Sequence, residues 1–167
     1  MMDYHLRPAT PADDDWQLAI YASTRAEELA QAGWPAQQCE AFVLHQHRAQ
    51  QAHYARHFPR SACQLIVIEG DGIAGRLWLD VREECLHILD IALLPHWRGR
   101  GLGTRCLLAL AAGAGTRALS IQVEIHNPAR RLYERLGFIA DGPVQGLYQA
   151  MRRPSVHRCP QPQECLP

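Results

Sequence analysis

The chain has 167 residues, of which 47% are hydrophobic and 20% charged, and this is enough chain for one domain with its own apolar core. Its 17 basic residues balance its 17 acidic residues, so no net basic field favours nucleic acid or anionic lipid as a partner. No apolar stretch has the length of a membrane span, and the N-terminus lacks the pattern of a signal peptide. We therefore expect a cytoplasmic domain over residues 1–153 that binds neither nucleic acid nor membrane.

The six cysteines predict neither a metal centre nor a disulfide framework. Four of them stand singly among apolar neighbours, as cysteines in a packed core do: Cys39, Cys63, Cys85 and Cys106. Cys159 and Cys165 flank a proline-rich pentapeptide, a spacing that matches no common zinc site. We expect no bound metal and a flexible tail over residues 154–167.

The distribution of apolar, glycine and proline residues predicts a succession of strands and helices. Thr10, with a proline and acidic residues after it, is typical of a helix start, and Gly70-Asp71-Gly72 is typical of a hairpin turn. The predicted elements are a strand at 4–8, helices at about 10–28 and 35–57, strands at 63–69, 73–81 and 86–94, a helix at 102–112, a strand at 120–125, a helix at 129–136 and strands at 138–140 and 147–151. This order predicts a mixed α/β sheet without the regular alternation of a doubly wound fold.

A glycine segment, Arg98-Gly99-Arg100-Gly101-Leu102-Gly103, lies between an apolar strand and a helix. Such a loop brings several backbone N–H groups to one point, where the positive end of the helix dipole adds to their effect. Glycine is needed because a Cβ would block both the unusual dihedral angles and the close approach of a phosphate. The segment therefore predicts an anion site, to which Arg98 and Arg100 add charge.

Three other interpretations of these glycines differ in what they require. A Walker loop needs Lys-Ser or Lys-Thr after the last glycine, where this chain has Thr104-Arg105. A dinucleotide fingerprint needs a glycine at Thr104, although Glu124, about twenty residues further on, would suit its ribose-binding acid. The spacing disfavours both, and a purely structural glycine turn stays open as the third.

Two segments resemble the motifs of the GNAT acetyltransferases. Residues 93–103, Leu-Leu-Pro-His-Trp-Arg-Gly-Arg-Gly-Leu-Gly, are similar to the acetyl-CoA motif of that family, and residues 127–138 contain its later pattern Ala-x-x-Leu-Tyr-x-x-x-Gly-Phe. The resemblance implies a three-layer α/β (α+β mixed) domain. Its central sheet would be mixed, mostly antiparallel, of about six to seven strands, and splayed at the acetyl-CoA site.

The same resemblance implies an activity. Members of the family transfer the acetyl group of acetyl-CoA directly to a primary amine, of a small molecule or of a protein, within a ternary complex. The alternative is a non-catalytic module that binds acetyl-CoA as a sensor or partner domain, because a fold by itself does not establish catalysis. The short C-terminal strands leave pairing in a homodimer open.

Positions that match the family motifs supply the candidate acetyl-CoA contacts. The main chain of Ile91 and Leu93 would contact the pantetheine arm. The candidate pyrophosphate contacts are Arg98, Gly99, Arg100, Gly101, Gly103 and Thr104. The family commonly has an asparagine where this chain has His126, and Asn127 is displaced by one position. Asn127 remains a candidate cofactor contact and helix cap, for which His126 could substitute.

Two residues are candidates for proton transfer. Tyr133 matches the tyrosine that many family members use as the general acid toward the coenzyme A thiolate, and a phenol with a pKa near about 10 holds its proton at neutral pH. His87 stands where some members have a glutamate or histidine that acts as the base, and an imidazole with a pKa near about 6.5 can accept the proton of the amine. Glu124, Asp90 and a water chain are the alternatives for the base.

Overall fold

The computed structural model describes residues 3–155, which form a seven-stranded sheet with helices on both faces. The strands are β1 Tyr4–Pro8, β2 Ser61–Ile68, β3 Gly72–Val81, β4 Cys85–Leu93, β5 Ala118–Glu124, β6 Ile139–Ala140 and β7 Tyr148–Arg153. The helices are α1 Asp14–Ala32, α2 Ala36–His57, α3 Leu102–Gly113 and α4 Arg130–Arg135. Their order agrees with the predicted order. Most of the predicted tail, including Cys159 and Cys165, lies outside the described residues.

The sheet is mixed and open, with the strand order β1-β2-β3-β4-β5-β7-β6. The pair β4–β5 is parallel, and all other neighbouring strands in the described part of the chain are antiparallel. Helices α1 and α2 lie on one face of the sheet, and α3 and α4 lie on the other. This confirms the predicted fold class and its three layers. None of the helices within residues 3–155 combines the length and the apolar character that crossing a bilayer requires.

The two faces of the central strand β3 have opposite chemistry. Leu77 packs with Leu107 of α3 and Tyr133 of α4 in the largest apolar cluster. Since successive residues of a strand point to opposite faces, the neighbouring Arg76 points toward α1 and α2, where it is buried and donates a hydrogen bond to Gln50. One face of the sheet is therefore an apolar core, and the other encloses a polar group.

Helix α1 is longer than the sequence pattern suggested, since it ends at Ala32 rather than at about Glu28. The four residues after Glu28 are all good helix formers, so nothing local stops the helix there. Gly33 ends it by adopting a left-handed conformation with a φ of 65°.

Gly75 lets β3 and β4 approach closely at the end of β4. A Cβ at this position would overlap with the carbonyl oxygen of Ala92 and would lie 2.8 Å from Cδ2 of Leu93. The carbonyl belongs to the backbone and cannot rotate away, so the strands would have to move apart. Gly75 thus sets how β4 enters the glycine segment.

We expect Gly75→Ala to lower the free energy of unfolding by about 1–3 kcal/mol, because the added methyl group forces β3 and β4 apart. Urea denaturation followed by circular dichroism measures this change. Gly113→Ala is the matched control, because a Cβ there meets no atom within 4 Å at the end of α3. The control should be neutral or stabilising by up to about 1 kcal/mol. Equal free energies of unfolding for the two variants would contradict the steric role of Gly75.

Candidate functional site

A gap between β4 and β5 is the main irregularity of the sheet. Residues 85–88 of β4 pair with residues 118–121 of β5. Beyond this point β4 continues to Leu93 and β5 continues to Glu124 without pairing to each other. The facing edges therefore offer backbone N–H and C=O groups to an extended ligand. Ile91 and Leu93, the predicted pantetheine contacts, both lie in this unpaired part of β4.

A β-bulge lies where the gap opens. The register between β3 and β4 shifts so that Ile88 and Asp90 face consecutive residues of β3, and Leu89 between them has no direct partner there. The hydroxyl of Tyr54 in α2 donates a hydrogen bond to the carbonyl oxygen of Leu89 at 3.1 Å. A helix on one face of the sheet thus stabilises the bulge from which the open part of β4 begins.

The glycine segment follows the open end of β4. Pro95–Trp97 forms a 3-10 turn, and α3 begins directly after Gly101. Gly99 and Gly101 have φ angles of 72° and 77°, and a Cβ on either would meet no atom within 4 Å. These glycines therefore combine a left-handed backbone with open space, as a cradle for a phosphate requires. Gly103 and Thr104 lie in the first turn of α3, whose N–H groups have no intrahelical acceptor.

The two arginines of the glycine segment have different contacts. Arg98 donates from Nε to the carbonyl oxygen of Leu93 at 2.8 Å, and from Nη2 to the carbonyl oxygen and hydroxyl of Ser23 at 3.1 and 2.9 Å. Its side chain therefore joins the end of β4 to α1, a structural role that the sequence did not reveal. Arg100 is exposed, and its guanidinium carbon lies 5.3 Å from the ring centroid of Trp97. Its charge is thus presented to solvent beside the loop.

Asn127 lies in the connection between β5 and α4. Its Oδ1 accepts a hydrogen bond from the N–H of Ala129 at 2.9 Å, and its carbonyl oxygen accepts one from the N–H of Arg130 at 3.0 Å. These bonds stabilise the turn that leads into α4. A surface cavity of about 470 Å³ adjoins this turn and is lined by Ile125, His126, Asn127, Pro128, Arg130, Arg131 and Glu134.

Tyr133 is buried in the apolar cluster on the α3 and α4 face, where its ring centroid lies 5.7 Å from that of Phe138. Burial, with a smaller contribution from the carboxylate of Asp90, raises the pKa of Tyr133 to about 12. The phenol consequently holds its proton at neutral pH. Burial packs the ring of Tyr133 against its apolar neighbours and also disfavours the charged phenolate, so a packing role and a protonated hydroxyl are compatible.

His87 lies on the opposite face, in the last but one paired position before the gap. Its Nδ1 is 2.8 Å from Oγ of Ser120, and its ring centroid is 6.0 Å from that of Phe58. Burial, reinforced by the positive charge of Arg82, lowers the pKa of His87 below its ordinary value of 6.5. The imidazole is therefore neutral at neutral pH and able to accept a proton. His87 and Tyr133 are on different faces of the sheet.

The two carboxylates considered as alternative bases have different surroundings. Glu124 is exposed at the end of β5. Asp90 lies in the open part of β4, and its Oδ2 is 2.7 Å from Nε of the buried Arg76. Sequence reasoning missed Arg76, as well as Tyr54 on α2. The signal for Arg76 was available, because one arginine stands within the otherwise apolar core of the predicted strand 73–81.

The cysteines and possible metal ligands add no further centre within residues 3–155. No group of three or more His, Cys, Asp or Glu side chains in this part of the chain could hold a metal ion. Cys85 and Cys106 are buried, as expected of core residues, whereas Cys39 and Cys63 are only partly buried. All four are free thiols.

The family of the chain follows from its motifs and fold together. Residues 24–138 match the model of the acetyltransferase (GNAT) family. This match covers more than half of the chain. The chain therefore belongs to the GNAT acetyltransferase family. This is a family of acetyl-CoA-dependent acyltransferases.

Individual proteins are similar to the chain in sequence or in fold. A Bacillus subtilis (strain 168) protein named "Putative ribosomal protein bS18-alanine N-acetyltransferase" is 33% identical over 88 residues, which cover 50% of this chain and 58% of that protein. The chain thus matches little more than half the length of this relative. The PaiA N-acetyltransferase from Thermoplasma acidophilum was solved in complex with coenzyme A. It superposes with a TM-score of 0.67 at 13% identity, and the match covers 92% of this chain and 99% of the PaiA chain. An acetyltransferase from Thermus thermophilus has a TM-score of 0.65 at 24% identity, and the match covers 90% of this chain and 96% of that acetyltransferase. These two structures share the fold.

The lowered pKa of His87 and of the buried His47 predicts a loss of stability in acid. Above the ordinary value of 6.5 both imidazoles are neutral in the folded and unfolded chain. As the pH falls below it, the unfolded chain binds protons that the folded chain does not, so the free energy of unfolding decreases. Urea denaturation at about pH 7.5 and about pH 5.5 measures the difference, which should be smaller in His87→Gln. His5→Gln, a change in an exposed residue of β1, is the control and should retain the wild-type difference.

Proposed function

We propose that the chain is an N-acetyltransferase that transfers the acetyl group of acetyl-CoA directly to a primary amine, of a small molecule or a protein, within a ternary complex. The gap between β4 and β5 beyond Ile88 is the observation that carries this proposal. It leads from the glycine segment to the paired positions that include His87, and Tyr133 packs in the apolar cluster that contains Ile88. A donor that lies along β4 would have its anionic end at the glycines and its acetyl end between a neutral imidazole and a protonated phenol.

The donor would be held mainly by backbone groups. Gly99, Gly101 and the first turn of α3 offer N–H groups to the pyrophosphate, and the unpaired main chain around Ile91 offers hydrogen bonds to the pantetheine arm. The remaining candidate contacts are Leu93, Gly103, Thr104 and Asn127. Arg100 would add charge from the surface. Arg98 would act chiefly by holding the loop, because its Nε and Nη2 already donate to protein oxygens.

The acetyl transfer requires three proton movements. The neutral imidazole of His87 would accept a proton from the acceptor ammonium, directly or through water, so that the amine nitrogen gains a free electron pair. That nitrogen then forms a bond to the acetyl carbon as the bond from this carbon to sulfur breaks, and it releases its second proton to water to give the neutral amide. Tyr133 would donate its proton to the departing thiolate. Exchange with solvent restores both side chains.

The acceptor would approach from the face that carries His87. A cavity of about 300 Å³ opens on this face. Gln122 in its wall lies two residues along β5 from Ser120, the partner of His87, and residues two apart in a strand point to the same face. The name of the Bacillus subtilis relative refers to an alanine of a ribosomal protein. This supports including a protein amine among the acceptor classes.

Calorimetric titration with acetyl-CoA tests the donor part of this proposal. An assay for free coenzyme A with spermidine, benzylamine and a peptide that begins with alanine tests the acceptor part. Absence of acetyl-CoA binding would contradict the proposal. Binding without transfer to any amine would instead favour the non-catalytic sensor.

Tyr133→Phe should lower kcat by about 100-fold or more, because it removes the proton that the leaving thiolate requires. The dissociation constant of acetyl-CoA should hardly change, since the aromatic ring is retained. Steady-state kinetics and calorimetry measure the two quantities. Tyr4→Phe, in the edge strand β1, is the matched control and should retain the wild-type kcat. A Tyr133→Phe variant with wild-type turnover would remove the tyrosine from the mechanism.

His87→Gln should change the pH dependence of kcat/KM. In the wild type this rate should rise with pH through the pKa of His87, which lies below 6.5, and then level off. In the variant the rise should move to higher pH and follow the ionisation of the amine itself. Rate profiles measured between about pH 5 and about pH 9 detect the shift. An unchanged profile would return His87 to a packing role.

A further inference from the structure

Arg76 is a buried cation in the centre of the sheet that the proposed mechanism does not use. Its side chain is 1% exposed, and its Nε donates to Oδ2 of Asp90 at 2.7 Å. Within residues 3–155 this is its one salt bridge to a carboxylate. A guanidinium without solvent needs such a partner, because an unpaired buried charge is strongly destabilising. Asp90 is thus held by a group that is itself buried.

Neutral groups from α1 and α2 complete the surroundings of Arg76. Its Nη2 donates to Oε1 of Gln50 at 2.9 Å, and Nη1 lies 3.5 Å from the carbonyl oxygen of Gln17 and 3.4 Å from Nε2 of His47. Burial, together with the charge of Arg76, lowers the pKa of His47, so this imidazole adds no second cation. Arg76 is therefore held from three elements and orients the Asp90 carboxylate.

The carboxylate of Asp90 is open on one side. Its side chain is 21% exposed, although its partner Arg76 is 1% exposed. Trp78 of β3 faces Asp90 in the sheet, and Tyr54 of α2 bonds to the neighbouring Leu89. Strand β5 does not pair with β4 at this level, so Asp90 lies on the part of β4 that borders the gap.

The position of Asp90 also relates it to the proposed proton carriers. Its negative charge contributes to the raised pKa of Tyr133, so the carboxylate lies within electrostatic range of that hydroxyl. Asp90 shares with Arg76 the face of the sheet on which His87 lies. A group bound to Asp90 would therefore share the face of His87 and lie within electrostatic range of Tyr133.

We propose that Asp90 binds the ammonium form of the acceptor amine and that Arg76 is the positioning residue for its carboxylate. This inference rests on the proposed N-acetyltransferase function and deepens it. Arg76 occupies Oδ2, and Oδ1 accepts a hydrogen bond from the ammonium group, which has three N–H donors. The bound ammonium then loses one proton to His87, and the resulting neutral amine attacks the acetyl carbon. The site accordingly selects amines that are charged at neutral pH.

Asp90→Asn tests this selection by comparing an amine with its uncharged analogue. The amine of the panel with the highest kcat/KM is assayed as substrate, and the same compound with a hydroxyl in place of the amino group is assayed as a competitive inhibitor. The variant should raise the KM of the amine about tenfold or more, because a hydrogen bond between charged groups is lost. The inhibition constant of the hydroxyl analogue and the dissociation constant of acetyl-CoA should remain within about twofold.

A second variant guards against misfolding, because Asp90→Asn leaves the charge of Arg76 unpaired. The double variant Arg76→Gln with Asp90→Asn removes both charges and allows an amide–amide hydrogen bond. It should show the same loss for the amine alone. Asp13→Asn is the matched control, because Asp13 is also bound by an arginine, Arg7, at 2.7 and 2.9 Å, but at the start of α1. Its KM for the amine should be that of the wild type.

Two results would overturn the inference while the proposed function stands. One is an unchanged KM for the amine in the folded double variant. The other is an equal loss of affinity for the amine and for its hydroxyl analogue, which would indicate a change of shape rather than of charge. A wild-type protein that binds acetyl-CoA but acetylates no amine would contradict the proposed function itself, and the inference with it.

Discussion

The end of parallel pairing between β4 and β5, after Ile88 and Ile121, is the constraint on which the rest of the site depends. Backbone N–H and C=O groups in a sheet normally form hydrogen bonds with the next strand. Here β4 and β5 both continue beyond their paired residues without forming hydrogen bonds to each other. The bulge at Leu89 directs β4 away from its neighbour, and the hydroxyl of Tyr54 satisfies the carbonyl at the bend. The protein thus keeps two strand edges in its interior available for a ligand.

The chemistry of the two faces follows from which helices cover them. On the α3 and α4 side the strands contribute aliphatic residues, and the phenol of Tyr133 is buried among them and keeps its proton. On the α1 and α2 side the strands contribute Arg76, His87 and Asp90, which are polar but ordered by hydrogen bonds. Burial raises the proton affinity of the phenol and lowers that of the imidazole, because it opposes the charged form of each group. A protonated phenol and a neutral imidazole result from the same physical effect on two sides of one sheet.

Sequence reasoning succeeded where the determinants are local. Apolar alternation and the glycine turns predicted the elements, and Gly99 and Gly101 have the unusual dihedral angles that were expected of them. It missed contacts that join distant parts of the chain. The bonds of Arg98 to Ser23 connect residues 75 positions apart, and the pair of Arg76 with Asp90 spans 14. No local pattern encodes such partners, because they depend on how helices pack on the sheet.

The bridge from Arg98 to Ser23 links two parts of the molecule that perform different tasks. One end is the loop proposed to hold the donor, and the other is helix α1, which contributes to the enclosure of Arg76 and hence of Asp90. A ligand that moved the Arg98 side chain would break its bonds to Ser23 and so act on this helix as well. The bridge is a physical connection between the proposed donor loop and the proposed acceptor carboxylate, and any effect of one ligand on the affinity for the other would be reciprocal.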